Sequence, residues 1–536
     1  MRTPWITAIF IRPLLTSAAP QVQLGGSTLI GTQNTGDTEF FGGIPYAEPP
    51  IGHLRFAPPV LKVEPGVPLL DASKYGASCP MVGQSSPDED CLTINVLRPL
   101  GTSPQSKLPV MVWVYGGGFQ AGDASQYDGT GLTTAAIDRG TPVIYVNFNY
   151  RLGALGFPQG LEATSRGALN LGLKDIIAAL QWVQHNIAAF GGDPSKVTVF
   201  GQSAGAVALA NLFLNSNLEH LARAAILESG SQSTLPVFRG PQRERDWKNY
   251  VAAVPECSRA SANASFDCLR QASVSTLLNA QASASGDAGE QFSWSPVIDG
   301  HGGVIPDLPS KLLATGTFSR IPFISGSNLD EGTQFVPTSL STDEQLTDFL
   351  ENFINPLQSG PPSTAVRLAI DRLLALYPDD PSRGSPYDTG SDTFGLGSQY
   401  KRAAAIAGDI WFHSVRRLWS QAASARGVKT YAYHFVDPQA VNNAAQGGKE
   451  LAYVFGEPGD QPARDLSTSM KDYWISFATS LDPNDGRGSQ RPRWPRYTSS
   501  HQVVMQLQGS NTTTIPDAYR ADQIAFINSK SATFNH

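Results

Sequence analysis

The chain has 536 residues, of which 41% are hydrophobic and 16% are charged, and its formal net charge at pH 7 is −7. This composition is typical of a globular, core-forming protein and excludes both an intrinsically disordered chain and a membrane-spanning one. The acidic charge balance excludes the basic face on which nucleic-acid binding depends. We therefore expect a small-molecule or lipid-like partner and no cofactor or metal ion. The oligomeric state is left open.

The start of the chain and two sequons indicate secretion. Residues 1–19 resemble a signal peptide, with an apolar stretch at 5–11 and small residues at 17–19 before the cleavage position. Asn263 and Asn511 each begin an Asn-X-Ser/Thr glycosylation sequence, which suits a secreted protein.

Four cysteines fall in two close pairs, Cys79 with Cys91 and Cys257 with Cys268. An even number at this spacing is compatible with two disulfides, each closing a short loop. Such a disulfide stabilises a protein by roughly 3 kcal/mol in the chain-entropy account. Four reduced thiols in a cytosolic protein are the alternative interpretation. The disulfide interpretation agrees with secretion.

Six short apolar runs, rich in β-forming residues, predict buried strands. They lie at residues 110–115, 143–149, 197–200, 224–227, 323–325 and 431–436. Most of these runs lack an alternation of polar and apolar residues. That is the pattern expected of strands buried on both faces of a largely parallel sheet.

A helix is predicted between the second and third runs, where apolar residues recur at helical spacing over residues 173–187. The sequence GGDP at 191–194 ends it, and the alternation of strand and helix is the βαβ pattern of an α/β fold. Residues 239–290 and 337–400 read as polar insertions. In a doubly wound sheet such insertions lie over the carboxyl ends of the strands, where ligands bind. We predict one α/β domain over residues 20–536, with the insertions as its cap.

A nucleophile elbow is predicted at Ser203, which lies in the sequence GQSAG at residues 201–205. The motif follows a predicted strand and precedes a run of small residues typical of a helix. A serine on such a sharp turn presents its hydroxyl to a substrate, while the backbone N–H of the next residue can bind an oxyanion. The glycines are needed because the turn is strained and tightly packed. Ser203 is therefore the candidate nucleophile.

Two further loops that follow predicted strands carry site candidates. Residues 114–119 read VYGGGF after the first strand, where an oxyanion loop is expected. Glycines suit that role because a tetrahedral intermediate can approach their N–H groups without an intervening Cβ. Residues 325–332 follow the fifth strand and contain Glu331 beside Asp330. By itself Glu331 would be a solvated loop residue, so its role depends on the wider pattern.

Longer stretches around these sites resemble the type-B carboxylesterase/lipase family, which includes fungal lipases and cholinesterases. The stretches that carry the resemblance are residues 190–205 and 89–99, with shorter matches at 43–56, 149–153, 450–456 and 473–495. The match extends from about residue 22 to residue 526. It implies an α/β-hydrolase fold, with a large, mostly parallel sheet flanked by helices and inserted cap segments, and it implies both disulfides.

The resemblance also implies roles for residues around the nucleophile. The backbone N–H groups of Gly117, Gly118 and Ala204 would be the oxyanion donors. Glu331 would be the acid that holds a histidine in its productive tautomer. Ser229, in the sequence LESG, matches a position that supports the triad.

The expected histidine is absent. Family members carry it a few residues before a stretch that here reads ELAYVFG, residues 450–456, and the matching position is Gln446 or Gly447. Neither can accept a proton from a serine hydroxyl. Of the eight histidines elsewhere in the chain, His434 is predicted to lie in the core of a strand and His301 on an exposed loop.

Loss of the base changes the expected chemistry. In serine hydrolases, removal of the base lowers kcat by up to about 10⁶, which raises the barrier by roughly 8 kcal/mol. The oxyanion hole and substrate binding still accelerate the reaction by about 10³–10⁴ over that in water. Three interpretations follow: a carboxylic ester hydrolase with impaired activity, a non-hydrolytic pocket enzyme such as a cyclase or lyase of secondary metabolism, and a catalytically inactive, cholinesterase-like binding protein. The elbow and the oxyanion loop favour the first two, since a binding protein needs neither. We predict a secreted, esterase-like serine hydrolase.

Overall fold

The computed structural model describes residues 19–214, 218–261, 264–288, 290–357, 361–438, 450–456 and 458–536. Nearly all of the predicted signal peptide, the sequon at Asn263, and positions 446 and 447 lie outside these residues.

The strands are numbered in chain order. They are β1 Gln21–Leu24, β2 Ser27–Ile30, β3 Thr32–Asn34, β4 Thr38–Pro45, β5 Leu69–Asp71, β6 Thr93–Pro99, β7 Leu108–Val114, β8 Ile144–Phe148, β9 Gly192–Gln202, β10 Ala224–Glu228, β11 Phe323–Asn328, β12 Thr430–Phe435, β13 Val503–Leu507 and β14 Thr513–Pro516.

The α-helices are numbered in the same way. They are α1 Thr130–Asp138, α2 Gly153–Gly156, α3 Gly160–Ser165, α4 Leu171–Asn186, α5 Ala204–Phe213, α6 Glu244–Ala253, α7 Ser265–Leu269, α8 Val274–Ala288, α9 Pro309–Thr315, α10 Asp343–Ile354, α11 Thr364–Leu376, α12 Tyr400–Gly408, α13 Ser414–Ala425, α14 Leu451–Val454, α15 Gln461–Ser480 and α16 Ala521–Ser529. A turn of π-helix, Asp409–His413, joins α12 to α13.

A large mixed sheet forms the centre of the described structure. Its strands lie in the order β14-β13-β12-β11-β10-β9-β7-β8-β6-β4-β3, and β1, β2 and β5 form a small second sheet. The neighbours from β13 to β8 are parallel, whereas β14 at one edge and β6, β4 and β3 at the other are antiparallel. The parallel centre brings the carboxyl ends of β7, β9, β10 and β11 to one edge, where the loops of the candidate site lie.

The elements predicted from the sequence are present with shifted ends. The six predicted strands are β7 to β12, and all residues of β8, β10, β11 and β12 are buried. The predicted helix is α4, which continues as a 3₁₀ turn to Phe190 and ends at Gly191, where φ is +89°. A positive φ of this kind favours glycine, so the predicted helix stop has the expected cause.

The two insertions are helical. The first contains α6, α7 and α8, and the disulfide Cys257–Cys268 closes a loop within it. The second contains α10 and α11, which pack with α12 and α16 in a hydrophobic cluster of their own. The other disulfide, Cys79–Cys91, precedes β6. None of the described helices is long and apolar enough to cross a lipid bilayer.

Candidate active site

The turn at Ser203 is sharp and strained. Strand β9 ends at Gln202 and α5 begins at Ala204, so Ser203 alone makes the turn, with φ 52° and ψ −127°. Non-glycine residues rarely adopt this backbone conformation, and such strain is concentrated at functional sites. Two hydrogen bonds hold it, because the Ser203 N–H donates to the Glu228 carbonyl at 2.9 Å and the Ser203 carbonyl accepts from the Val207 N–H at 2.8 Å.

The glycines of the elbow permit a close approach of the neighbouring strand. A Cβ on Gly205 would lie 2.0 Å from the carbonyl oxygen of Val114, and one on Gly201 would lie 2.6 Å from the same atom. No side chain fits at such distances. The motif therefore has a steric cause in the packing of the elbow against the end of β7.

The glycine loop after β7 lies beside the candidate nucleophile. A Cβ on Gly116 would lie 2.9 Å from the Cβ of Ser203. Gly117 and Gly118 both have positive φ, 112° and 62°. Within the described residues, the backbone N–H groups of Gly117, Gly118 and Ala204 are not paired with any backbone carbonyl. The three predicted donors thus remain available to an oxygen atom near Ser203.

A cavity opens at the elbow. Ser203, Gly118 and Ala204 lie in its wall. The rest of the wall is mostly apolar and consists of Val207, Thr234, Leu235, Phe292, Phe335, Trp411 and Phe412. A larger cavity shares four of these residues and extends to α10 of the second insertion. Apolar walls with few polar groups are typical of a site for a hydrophobic small molecule.

The π-helical turn supplies two of the aromatic walls, Trp411 and Phe412. Its first residue, Asp409, accepts hydrogen bonds from Tyr377 Oη at 2.6 Å and from Arg520 Nε at 2.8 Å. π-helical turns occur frequently at functional sites. Here the anchored turn holds the aromatic wall in a fixed position.

The predicted acid, Glu331, is buried. The Asn328 N–H donates to Glu331 Oε1 at 2.7 Å. Burial, and next the nearby carboxyl of Glu450, raise the pKa of Glu331 to about 8. Ser229, the predicted supporting residue, donates to Glu450 Oε1 at 3.1 Å. The Asn328 amide donates to Glu450 Oε2 at 2.6 Å, so the two glutamates share a network of neutral hydrogen-bond donors.

Sequence reasoning did not identify the cluster of acids that this network forms. In the sequence, Glu450 only begins the matched stretch 450–456 and Glu228 only precedes Ser229, and neither position by itself indicates an acid cluster. Burial, then the proximity of Glu450, raise the pKa of Glu228 well above its ordinary range, and Trp474 Nε1 donates to Glu228 Oε1 at 2.7 Å. Like charges this close cannot all ionise, so the cluster retains protons at neutral pH. The signal in the sequence is the position of these two glutamates: Glu228 lies in the matched stretch LESG, and Glu450 begins the matched stretch ELAYVFG.

The histidines of the described residues do not supply a base at the cavity, because none of them lines either cavity. His434 lies buried in β12, with its ring stacked 4.5 Å from that of Tyr519. Burial lowers the pKa of His434 to about 3, so it is a neutral core residue as predicted. His413, also buried, has its Nδ1 3.0 Å from Ser327 Oγ. His301 is exposed on a turn, also as predicted.

Comparison with known proteins decides the family. The model of the carboxylesterase family matches residues 18–527. The chain belongs to the carboxylesterase family. Secreted lipase 1 of Botryotinia fuckeliana (strain B05.10) is 35% identical to it over 95% of this chain and 93% of that protein. Lipase 2 of Geotrichum candidum is 34% identical over 95% of each chain. The crystal structure of Aspergillus niger EstA is similar with a TM-score of 0.82 and 27% identity, over 97% of this chain and 99% of that one.

Membership of the carboxylesterase family confirms two predictions. The resemblance read from the sequence extends over nearly the whole chain, and the α/β-hydrolase fold is the fold of the similar esterase structure. The chain is thus a carboxylesterase/lipase-type serine hydrolase.

Proposed function

We propose that this carboxylesterase-family protein hydrolyses carboxylic esters slowly, with Ser203 as the nucleophile. The observation that supports this proposal most directly is the strained serine beside the unpaired N–H groups of Gly117, Gly118 and Ala204. In a hydrolysis, the Ser203 oxygen attacks the ester carbonyl and the carbonyl oxygen becomes an oxyanion between these donors. Preorganised donors of this kind stabilise the charge that develops in the transition state. The bond from the carbonyl carbon to the alcohol oxygen then breaks, and the alcohol leaves with the proton that the Ser203 hydroxyl has lost. Water attacks the acyl-enzyme, releases the acid and returns a proton to the Ser203 oxygen.

Slow turnover is proposed because the chain has no histidine at the matching position. Glu331 would orient the histidine in a complete triad. With a pKa of about 8 it is mostly protonated at neutral pH and is then a poor proton acceptor. Ionisation at alkaline pH would produce a carboxylate, but an imidazole would still be needed to connect it with Ser203.

The cavity indicates the class of ester. Its walls are aliphatic and aromatic, so we propose a hydrophobic or lipid-like ester as the substrate. The names of the similar lipases agree with this class. The acyl chain length and the alcohol are left open.

Secretion is part of the proposal. It rests on residues 1–19, on the two disulfides in the structure, and on a relative named as a secreted lipase. Asn511 lies exposed in a turn between β13 and β14, where a glycan can be attached without loss of packing.

A second candidate function is non-hydrolytic. An oxyanion site without a base can still stabilise an enolate in a cyclase or lyase reaction, and the absence of histidine from both described cavity walls favours this alternative.

A panel of p-nitrophenyl esters tests the proposal. We expect turnover well below ordinary esterase rates, abolished by Ser203→Ala, and an increase in either Gln446→His or Gly447→His. Ordinary esterase rates in the wild type would contradict the impaired triad. Absence of any Ser203-dependent turnover, with no gain in either histidine variant, would favour the non-hydrolytic alternative.

A further inference from the structure

The segment 149–153, which reads NYRLG and follows β8, has no role in the site described so far. It contacts the oxyanion loop, residues 115–124, at three points. Tyr150 Oη donates to the Tyr115 carbonyl at 2.9 Å. The Gly153 N–H donates to the Phe119 carbonyl at 2.7 Å, and the Ala124 N–H donates to Asn149 Oδ1 at 2.9 Å. The start, middle and end of the loop are therefore all bonded to one short segment.

The contact at the start of the loop is the most specific. The rings of Tyr115 and Tyr150 are stacked with their centroids 4.6 Å apart, and both residues are fully buried. The Tyr150 N–H donates to Tyr115 Oη at 3.3 Å, and Tyr115 Oη lies 3.4 Å from the Tyr150 carbonyl, to which it donates, so each residue donates to the other. The Tyr115 carbonyl belongs to the peptide that leads into Gly116.

Glycines alone cannot fix the direction of the donors. Gly117 and Gly118 have no Cβ and can populate a wide range of backbone angles. The peptide between them is held within the loop, because the Gln120 and Ala121 N–H groups donate to the Gly117 carbonyl. The peptides on either side of the glycines are held from outside the loop. Tyr150 holds the peptide before the glycines, and Gly153 holds the carbonyl immediately after them.

The segment is itself anchored in the core. Arg151 donates to Asp175 of α4 through Nε at 2.8 Å and through Nη2 at 2.7 Å, and both side chains are buried. On the other side, the Ala154 N–H donates to Gln281 Oε1 of α8 at 2.8 Å. The oxyanion loop is thus connected through this segment to the helix behind the sheet and to the first insertion.

We propose that Tyr150 is a positioning residue, whose hydroxyl fixes the oxyanion loop so that Gly117 and Gly118 point their N–H groups at the reacting oxygen. This inference rests on the proposed function of the loop. It predicts that loss of one buried hydroxyl reduces stabilisation of the transition state and leaves ground-state binding of the ester unchanged.

The test compares Tyr150→Phe with Tyr473→Phe. Tyr473 is a matched control, because it is also fully buried and its hydroxyl also donates to a backbone carbonyl, that of Pro492. Removal of an oxyanion donor costs about 10²–10³ in kcat, and a misdirected donor should cost less, about tenfold. We expect Tyr150→Phe to lower kcat for a p-nitrophenyl ester about tenfold with KM within twofold, and Tyr473→Phe to change neither.

Amide hydrogen exchange gives a second readout that does not need turnover. The amides of Gln120 and Ala121, which bond to the Gly117 carbonyl, and that of Gly153 should exchange faster in Tyr150→Phe and at the wild-type rate in Tyr473→Phe. Equal effects of the two substitutions on kcat, an effect on KM alone, or unchanged exchange at these amides would overturn the inference. If the wild type hydrolyses no ester, the proposed function fails, and hydrogen exchange alone then decides whether Tyr150 holds the loop.

Discussion

Stability should depend on pH through Glu331. Its carboxyl has an ordinary pKa of 4.5, which burial and the neighbouring Glu450 raise to about 8 in the folded protein. Between these two values the folded chain binds the proton and the unfolded chain does not. The free energy of unfolding therefore falls as pH rises through this window, by about 1.4 kcal/mol for each pH unit. For this one carboxyl the total decrease is on the order of 5 kcal/mol.

The substitution Glu331→Gln isolates this contribution, because glutamine resembles the protonated acid and does not titrate. We expect the stability of Glu331→Gln relative to the wild type to increase steadily from pH 5 to pH 8, when measured by urea denaturation. Glu344→Gln, at an exposed position in the first turn of α10, is the matched control and should keep the wild-type pH dependence. A carbon-detected NMR titration should place the Glu331 carboxyl transition near pH 8.

Two results would contradict this pH dependence. One is a pH dependence of stability in Glu331→Gln that equals that of the wild type. The other is a Glu331 carboxyl that titrates at its ordinary pKa, which would mean that a cation stabilises its charge in the folded protein.

Three further predictions concern the elbow, the oxyanion loop and the cap. Gly205→Ala should leave little folded protein in a thermal melt, since its Cβ would lie 2.0 Å from a backbone carbonyl; a wild-type melting temperature would contradict the packing. Gly118→Ala places a Cβ 2.2 Å from the Phe292 ring at a residue with positive φ. We therefore expect ester turnover to fall by about 10². Unchanged turnover would show that the Gly118 N–H is not one of the oxyanion donors. Replacing both Cys257 and Cys268 by serine should lower the free energy of unfolding by roughly 3 kcal/mol in urea titrations, and no loss would show that the bond is not formed.

The sequence predicts the elements whose structure is determined locally. The elbow at Ser203 and the glycine loop before Phe119 follow from short motifs, because steric limits at single residues fix both turns. Six of the seven strands of the parallel centre, β7 to β12, follow from short apolar runs. The seventh, β13, and the antiparallel strands β4 and β6 are not predicted from the sequence.

The acid cluster and the Tyr150–Tyr115 bond depend on contacts between segments that are distant in the chain. Glu228, Glu331 and Glu450 come from three separate parts of the sequence, so their mutual effect on pKa cannot be read from any one of them. The sequence identifies Tyr150 only as part of the matched stretch 149–153. Its bond to Tyr115 depends on the pairing of β7 with β8 in the sheet.

The central claim is that a strained serine faces a preorganised oxyanion site without a histidine to activate it. The most direct test is the rate at which a fluorophosphonate labels Ser203, with the modified residue identified by mass spectrometry. We expect slow labelling that is confined to Ser203 and lost in Ser203→Ala. Labelling as rapid as that of an ordinary serine esterase would contradict it, since only an activated hydroxyl reacts at that rate.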